Sequence, residues 1–205
     1  MRIAVVGGTG DFGLALAQRL VEAGDDVVIG SRDAERAAAK AAEISAAGAA
    51  NDDAVRGAEL VVLAVKADAA LPTAESLVAA IGDTPVLSVA SELRFSKTGV
   101  FPTDDPRSVA ERTQALLGAP VAAGLHSLAA ASLANGPAAG DALVCGDDAA
   151  AKELALALAA KVITGRALDA GPLASARALE GMTAVIVNLN KRYRGHAGVE
   201  ITGLP

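Results

Sequence analysis

The chain has 205 residues and a formal net charge of −6; 52% of its residues are hydrophobic and 20% are charged. This balance predicts a globular protein with a sizeable core, and its negative charge argues against binding to nucleic-acid backbones. Aromatic residues make up only 2%, which leaves few side chains for stacking on single-stranded bases. The first apolar run is short and no stretch of about 18 uncharged apolar residues follows, so we expect neither a signal peptide nor a membrane span. The lone Cys145 indicates a reducing, cytoplasmic setting.

Apolar runs alternate with amphipathic stretches through the first half of the chain. We predict strands over 2–6, 26–29, 59–65 and 85–89 and helices over 11–23, 33–46 and 67–80, with the alanine-rich segment 37–50 assigned to surface helix. Continuous apolar runs such as 60–65 are typical of parallel strands that are covered on both faces. The pattern predicts an α/β protein with a Rossmann-type, doubly wound, mostly parallel sheet.

The second half of the chain is less regular. We predict helices over 106–117, 148–161 and 173–192, strands over 119–123, 142–145 and 167–169, a long loop over 90–105 and an irregular stretch over 125–140. No linker divides the chain, so we expect a single domain over 1–205. Its residues from about 172 to 205 would form a C-terminal helical extension and an arm, with 198–202 as a short strand or arm.

A glycine-rich turn lies between the first predicted strand and the first predicted helix. It reads Gly8-Thr9-Gly10-Asp11-Phe12-Gly13. In this position the spacing of the glycines is typical of a pyrophosphate site, because glycines permit a tight turn and close approach, and the helix N-terminus offers free N–H groups. The alternative is a strand-to-helix turn without a ligand.

The residues after the second predicted strand indicate which dinucleotide would bind. A site for NAD usually has a carboxylate there, whereas this chain has Ser31 and Arg32, with Arg36 one helical turn further. A hydroxyl and guanidinium groups suit a ribose 2′-phosphate, so we predict an NADP-binding domain. The alternative is that Ser31 only caps the next helix and Arg32 is solvated.

Few residues suggest acid–base or metal chemistry. The single tyrosine, Tyr193, is followed four residues later by Ala197, so the Tyr-x-x-x-Lys pair of short-chain dehydrogenases is missing, and no metal site is expected. His126 lies at a strand end and is the candidate catalytic residue, with a structural histidine as the alternative. The basic run 191–196 fits either a helix C-terminus or a patch for an anionic second substrate.

Several segments together resemble one family. They are Val5–Gly13, Ile29–Arg32, Leu125–Ser127, Leu143–Asp148 (Leu-Val-Cys-Gly-Asp-Asp), Leu168–Leu173 (Leu-Asp-Ala-Gly-Pro-Leu) and the apolar helix that carries Asn188. The chain resembles the NADPH-dependent reductases of the deazaflavin coenzyme F420 over nearly its whole length. The resemblance implies a cytoplasmic homodimer that transfers a hydride directly between nicotinamide C4 and deazaflavin C5, without a flavin or a metal.

The resemblance also implies which residues form the site. It assigns Thr9, Gly10, Asp11 and Phe12 to the pyrophosphate, Ser31, Arg32 and Arg36 to the 2′-phosphate, Val65 and Ala90 to the nicotinamide, and His126 and Ser127 to the deazaflavin. Three segments differ from the usual family pattern: Lys66–Asp68, Ser88–Glu92 and Leu128–Ala130. All three lie on the expected side of the second substrate.

Three functions are therefore under consideration. The leading one is an NADPH:coenzyme F420 oxidoreductase. The first alternative is a reductase of a small C=N, C=C or C=O substrate, driven by NADPH or the reduced deazaflavin, for which His126 would be the acid. The second alternative is a non-catalytic NADP-sensing protein.

Overall fold

The computed structural model describes residues 1–204. Its strands are β1 (Arg2–Val6), β2 (Asp26–Ser31), β3 (Ala47–Ala50), β4 (Leu60–Leu63), β5 (Val86–Ser88), β6 (Leu93–Ser96), β7 (Gly99–Pro102), β8 (Val121–Gly124), β9 (Ala142–Gly146) and β10 (Ala167–Asp169). Its helices are α1 (Asp11–Glu22), α2 (Ala34–Ala42), α3 (Asn51–Val55), α4 (Ala67–Ile81), α5 (Val109–Leu116), α6 (Ala130–Ala134), α7 (Ala149–Lys161) and α8 (Ala176–Tyr193).

Eight of the strands form one sheet, in the order β10-β9-β8-β5-β4-β1-β2-β3. Every neighbouring pair is parallel except β8 and β9, which are antiparallel. The order of the strands reverses at β1, which pairs with β2 on one side and with β4 on the other. A crevice opens outside the carboxyl ends of the strands at such a reversal, and ligands of open α/β sheets bind there. The predicted Rossmann-type, mostly parallel sheet is confirmed.

The central strand β1 is buried on both faces because helices cover both sides of the sheet. Ile3 and Val5 belong to a core cluster that includes Leu16 and Leu20 of α1. Ala4 and Val6, on the other face of β1, belong to a second core cluster that includes residues of α4. This two-sided burial explains why the strand reads as a continuous apolar run rather than an alternating one.

The alanine-rich segment 37–50 is not one helix, which corrects the sequence-based prediction. Helix α2 ends at Ala42, and Ser45 takes a left-handed φ of 58°, which turns the chain. Residues Ala47–Ala50 then form the edge strand β3, parallel to β2. Gly48 makes this packing feasible, since a Cβ at its position would overlap the backbone carbonyl of Ala37 on α2.

Three further segments differ from the prediction. The supposed loop 90–105 contains the antiparallel hairpin of β6 and β7, and the irregular stretch 125–140 contains the short helix α6. The last predicted helix opens with a 3₁₀ turn, Leu173–Ser175, before α8. Segment 198–202, predicted as a short strand or an arm, is an arm; the backbone N–H of Asp141 donates to its Val199 carbonyl. Within residues 1–204, no helix combines the length and apolar character needed to cross a membrane.

Candidate active site

Two adjoining cavities lie at the carboxyl end of the sheet. The first, here called the β2 cavity, has a volume of about 520 Å³ and is lined by residues that follow β1, β2 and β3. The second, the β5 cavity, has a volume of about 790 Å³ and is lined by residues that follow β4, β5 and β8. Gly10, Val65 and Lys66 line both cavities. An elongated ligand could therefore extend from one cavity into the other past these residues.

The glycine turn brings the start of α1 close to the ends of β1 and β4. Gly7 has a φ of 85°, and a Cβ on it would lie 2.7 Å from Val65 Cγ1. A Cβ on Gly13 would lie 2.6 Å from the carbonyl oxygen of Gly7, and a Cβ on Gly8 would lie 2.9 Å from Ile29 Cγ2. Gly8 and Gly13 thus serve the packing of helix on strand. Gly7 was missed by the sequence reasoning, although its place beside the motif was a usable signal.

The N-terminus of α1 offers backbone donors to the cavities. Gly10 is the N-cap residue, and no side chain within residues 1–204 caps the helix. The first N–H groups of an α-helix have no partner within the helix, so those of Asp11 and Phe12 are available. Both residues line the β5 cavity, and Thr9 lines the β2 cavity. Together with the helix dipole, this arrangement favours an anion at the turn.

The end of β2 places two positive charges at the β2 cavity. Arg32 and Arg36 line this cavity and are both exposed. In the part of the chain that the structure describes, neither guanidinium takes part in an ion pair. The side chain that caps α2 is Asp33, which accepts from Arg36 N–H at 3.0 Å, while Ser31 Oγ accepts from Asp33 N–H at 3.2 Å. The alternative of Ser31 as the helix cap does not hold.

Asn51 is a cavity residue that the sequence reasoning missed. It directly follows β3 and lines the β2 cavity. Its Oδ1 atom is buried and has no hydrogen-bond partner among the described residues. A Cβ at Gly30 would come within 2.9 Å of this oxygen, so Gly30 leaves room for the amide beside β2. The signal was hidden because β3 itself was not predicted.

His126 lies in the wall of the β5 cavity. It follows β8 and Leu125, which has a left-handed φ of 65°, and only 5% of its surface is exposed. Burial lowers the pKa of the imidazole to about 4, because the charged ring would lose its hydration. Its Nδ1 lies 3.1 Å from Ser91 Oγ, whereas its buried Nε2 has no partner within residues 1–204. An unsatisfied buried acceptor costs about 1–3 kcal/mol.

Two hydroxyl groups connect His126 to other elements of the site. Ser91 Oγ, after β5, lies 2.8 Å from Thr183 Oγ1 on α8. Thr183 Oγ1 in turn donates to the backbone carbonyl of His126 at 2.9 Å. Both residues line the β5 cavity. Neither residue is predicted by a sequence pattern, since Ser91 and Thr183 are separated by 92 residues and belong to no motif.

The remaining predicted residues divide between the cavity and the interior. Val65 and Ala90 line the β5 cavity as expected. Ser127 differs from its prediction, because its buried Oγ donates to the Asp141 carbonyl at 3.1 Å and it lines neither cavity. Exposed Lys66 lines both cavities and also forms no ion pair with any described residue.

The basic run 191–196 lies at the C-terminal end of α8, where positive charges interact favourably with the negative end of the helix dipole. None of these six residues lines either cavity. Lys191 Nζ instead lies 5.4 Å from the ring centre of Phe95 on β6, and Arg194 ends the helix in a left-handed conformation. The prediction of a patch for a second substrate finds no support in this placement.

The doubly wound sheet, the glycine turn and the arginines at the end of β2 define a Rossmann-type dinucleotide-binding protein. Residues 2–92 match the family model described as NADP oxidoreductase, coenzyme F420-dependent. The chain is 39% identical over 223 residues to the F420-dependent NADP reductase of Methanothermobacter thermautotrophicus, with 100% of this chain and 96% of the relative covered. It is 34% identical to the enzyme of that name from Methanocaldococcus jannaschii, with 100% and 99% covered. The chain belongs to the family of F420-dependent NADP reductases.

Solved structures agree with this assignment. The crystal structure of a putative F420-dependent NADP-reductase from Arthrobacter sp. FB24 has a TM-score of 0.82 and 28% identity, and the match covers 99% of this chain and 100% of that one. An imine reductase from Streptomyces aurantiacus has a TM-score of 0.62 at 23% identity, with 95% of this chain and 62% of that chain covered. The latter likeness concerns the fold alone.

Proposed function

We propose that the protein is an oxidoreductase that transfers a hydride between NADP(H) and coenzyme F420. The observation that carries the proposal is the pair of adjoining cavities: one has two arginines without an ion-pair partner among the described residues, the other contains the buried His126, and Val65 lines both. The names of the curated relatives, F420-dependent NADP reductases, support the same chemistry.

The residues of the β2 cavity fit a dinucleotide that carries a 2′-phosphate. At the boundary with the β5 cavity, the turn at Thr9 and Gly10 and the free N–H groups of Asp11 and Phe12 suit a pyrophosphate, while the Gly10 N–H itself donates to the Gly7 carbonyl. Asp11 contributes through its N–H, because its carboxylate is exposed. Gly8 and Gly13 hold the turn in shape. Ser31, Arg32 and Arg36 suit the 2′-phosphate, for which a guanidinium forms charge-assisted, forked hydrogen bonds. Asn51 adds an amide whose buried oxygen has no partner among the described residues and would suit a donor group of the adenosine.

The residues of the β5 cavity suit stacked rings. When both cofactors are bound, the reduced nicotinamide supplies a hydride that the deazaflavin accepts, and the reverse holds for the reduced deazaflavin. The protein then has to align two rings and exclude water rather than move protons. Val65 and Ala90 provide an apolar wall on the nicotinamide side, and Leu128 belongs to the wall near His126.

The low pKa of His126 argues against the alternative reductase of a small C=N, C=C or C=O substrate. That reaction needs an acid near neutral pH, and a ring with a pKa of about 4 is uncharged there. His126 therefore acts as a neutral contact for a cofactor ring. The non-catalytic NADP-sensing alternative predicts binding of NADPH without hydride transfer.

We also propose that the chain works as a single domain and as a cytoplasmic homodimer. The exposed apolar side chains of Val185 and Leu189 lie one turn apart on α8, and Phe95 on the hairpin is 67% exposed. Such side chains together suit a contact with a second copy. The lone, buried Cys145 is consistent with a reducing compartment.

The test is a hydride-exchange assay. The purified protein is mixed with NADPH and oxidised coenzyme F420, and the loss of deazaflavin absorbance is followed, with NADH in a parallel reaction. We expect loss of absorbance with NADPH and little with NADH. If the protein binds NADPH but no absorbance is lost even at high protein concentration, the function is binding without catalysis and the proposal fails.

A further inference from the structure

Three hydrogen bonds around His126 form a closed chain between the loops after β5 and β8 and helix α8. Thr183 Oγ1 bonds to the His126 carbonyl at 2.9 Å, Ser91 Oγ bonds to Thr183 Oγ1 at 2.8 Å, and Ser91 Oγ bonds to His126 Nδ1 at 3.1 Å. Each hydroxyl has only one proton to donate. The position of every proton in the chain can therefore be worked out in sequence.

The carbonyl oxygen of His126 can only accept, so Thr183 donates its single proton there. Thr183 Oγ1 is then the acceptor for Ser91, which uses its own single proton in that bond. Ser91 Oγ has no second proton for Nδ1, so Nδ1 of His126 must be the donor in the remaining bond. At neutral pH the buried ring carries only one proton, since its pKa is about 4.

The consequence is a defined tautomer. With its one proton on Nδ1, the imidazole has a bare lone pair on Nε2, the buried atom that has no partner in the described part of the chain. We propose that Ser91 and Thr183 are positioning residues that hold His126 as the Nδ1–H tautomer, so that Nε2 accepts a hydrogen bond from an N–H group of a cofactor ring in the β5 cavity. This inference rests on the proposed function for the identity of the rings.

Both cofactors of the proposed reaction carry such a donor. The nicotinamide has a carboxamide NH₂, and the deazaflavin has an imide N–H in its pyrimidine ring. A fixed acceptor binds either group in one orientation and rejects a ring that presents a lone pair at the same place. The ring that meets Nε2 is identified by adding the two cofactors separately.

The tautomer can be measured without any turnover. Nuclear magnetic resonance of the protein labelled with ¹⁵N-histidine distinguishes a protonated ring nitrogen from a bare one by its shift and its couplings to the ring protons. The chain has only two histidines, and the variant His196→Gln assigns the other signal. We expect a protonated Nδ1 and a bare Nε2 for His126 at pH 7. The opposite tautomer, or a doubly protonated ring, overturns the inference.

The two Thr183 variants test which group sets the tautomer. Thr183→Val removes the hydroxyl, so the Ser91 proton becomes free to bond to Nδ1 and we expect the histidine proton to move to Nε2. Thr183→Ser keeps the hydroxyl and should keep the wild-type tautomer. Should Thr183→Val fail to fold, Ser91→Ala removes the acceptor of Nδ1–H, and a mixture of tautomers is expected. An unchanged spectrum in these hydroxyl-free variants contradicts the inference.

The ligand measurement uses the same labelled protein. We expect the Nε2 signal to shift on addition of oxidised NADP alone or of oxidised coenzyme F420 alone, whichever donates to it. For NADP, the 3-acetylpyridine analogue lacks the N–H donor and should leave Nε2 unshifted. If both cofactors bind and neither shifts Nε2, the inference fails while the proposed function stands. If neither cofactor binds, the proposed function fails, whereas the tautomer measured for the free protein stands.

Discussion

Replacing Arg32 by Glu should remove most of the preference of this protein for NADPH over NADH. Arg32 is exposed and unpaired among the described residues, so the substitution breaks no contact of the protein itself. The fold, the glycine turn and Asn51 should be unaffected. The change in affinity therefore measures the interaction with the 2′-phosphate.

The size of the effect follows from the kind of contact. A hydrogen bond to a charged group contributes about 1.5–3 kcal/mol, and exposure of the site favours the lower part of that range. About 2 kcal/mol corresponds to roughly a 30-fold loss of NADPH affinity, since 1.4 kcal/mol is about tenfold. Arg36 remains at the cavity and limits the loss. NADH lacks the phosphate, so its affinity should change by less than about threefold.

The assay is a titration of each cofactor by isothermal calorimetry at two salt concentrations. Lys97→Glu is the matched control, because Lys97 is exposed, lines neither cavity and produces the same change in net charge. Higher salt should weaken NADPH binding by the wild type more than by Arg32→Glu, because screening acts on the lost contact. Equal losses of NADPH and NADH affinity in Arg32→Glu would refute the assignment of Arg32 to the 2′-phosphate.

Three further outcomes are expected. Gly48→Ala should destabilise the protein by about 1–3 kcal/mol in urea unfolding, because the added Cβ would overlap the backbone of α2. Gly118→Ala is the control, since a Cβ at Gly118 has open space around it. Equal effects of the two substitutions would contradict the packing argument. Burial lowers the pKa of His126 from 6.5 to about 4, so between these pH values the unfolded chain binds more protons and the folded protein loses stability as the pH falls. The variant His126→Asn should remove up to about 3 kcal/mol of this pH dependence of the unfolding free energy. An unchanged pH profile of stability in this variant would oppose the argument. Burial raises the pKa of Glu180 from 4.5 to about 7, so between these pH values the folded chain binds more protons and loses stability as the pH rises. The variant Glu180→Gln should therefore be more stable than the wild type at pH 8 and about equally stable at pH 4. The reverse order of stabilities would refute the argument.

The half of the site that suits a dinucleotide could be predicted from the sequence because its parts are contiguous. A strand, a glycine turn and a helix follow one another within residues 2–22; Arg32 directly follows β2, and Arg36 lies in the first turn of α2. The unpredicted strand β3 shows where this reasoning stops. Its sequence, Ala-Gly-Ala-Ala, has none of the β-branched or aromatic residues that favour strands, and only its pairing with β2 makes it one.

The half of the site around His126 depends on contacts that no local pattern encodes. His126 was selected for its place at a strand end, but its partners Ser91 and Thr183 come from a different loop and from α8. The hairpin that brings Phe95 into the cavity wall lies in the predicted loop 90–105, because Ser, Lys, Gly, Pro and Asp interrupt any strand pattern there. The family resemblance assigns Ser127 to the deazaflavin together with His126. The turn after β8 nevertheless sends its hydroxyl into the interior, towards the Asp141 carbonyl.

The two halves also differ in what they determine. The family model matches residues 2–92, which include the glycine turn and the arginines at the end of β2. Later residues, among them Phe95, His126, Leu128 and Thr183, contribute about a third of the wall of the β5 cavity. We therefore expect the choice of hydride partner to depend both on the residues that follow β4 and β5 and on these later residues. In our proposal, a neutral His126 with Nε2 held as an acceptor would favour a ring that presents an N–H donor, without needing a charge. This would suit a reaction that transfers a hydride and no proton from a side chain.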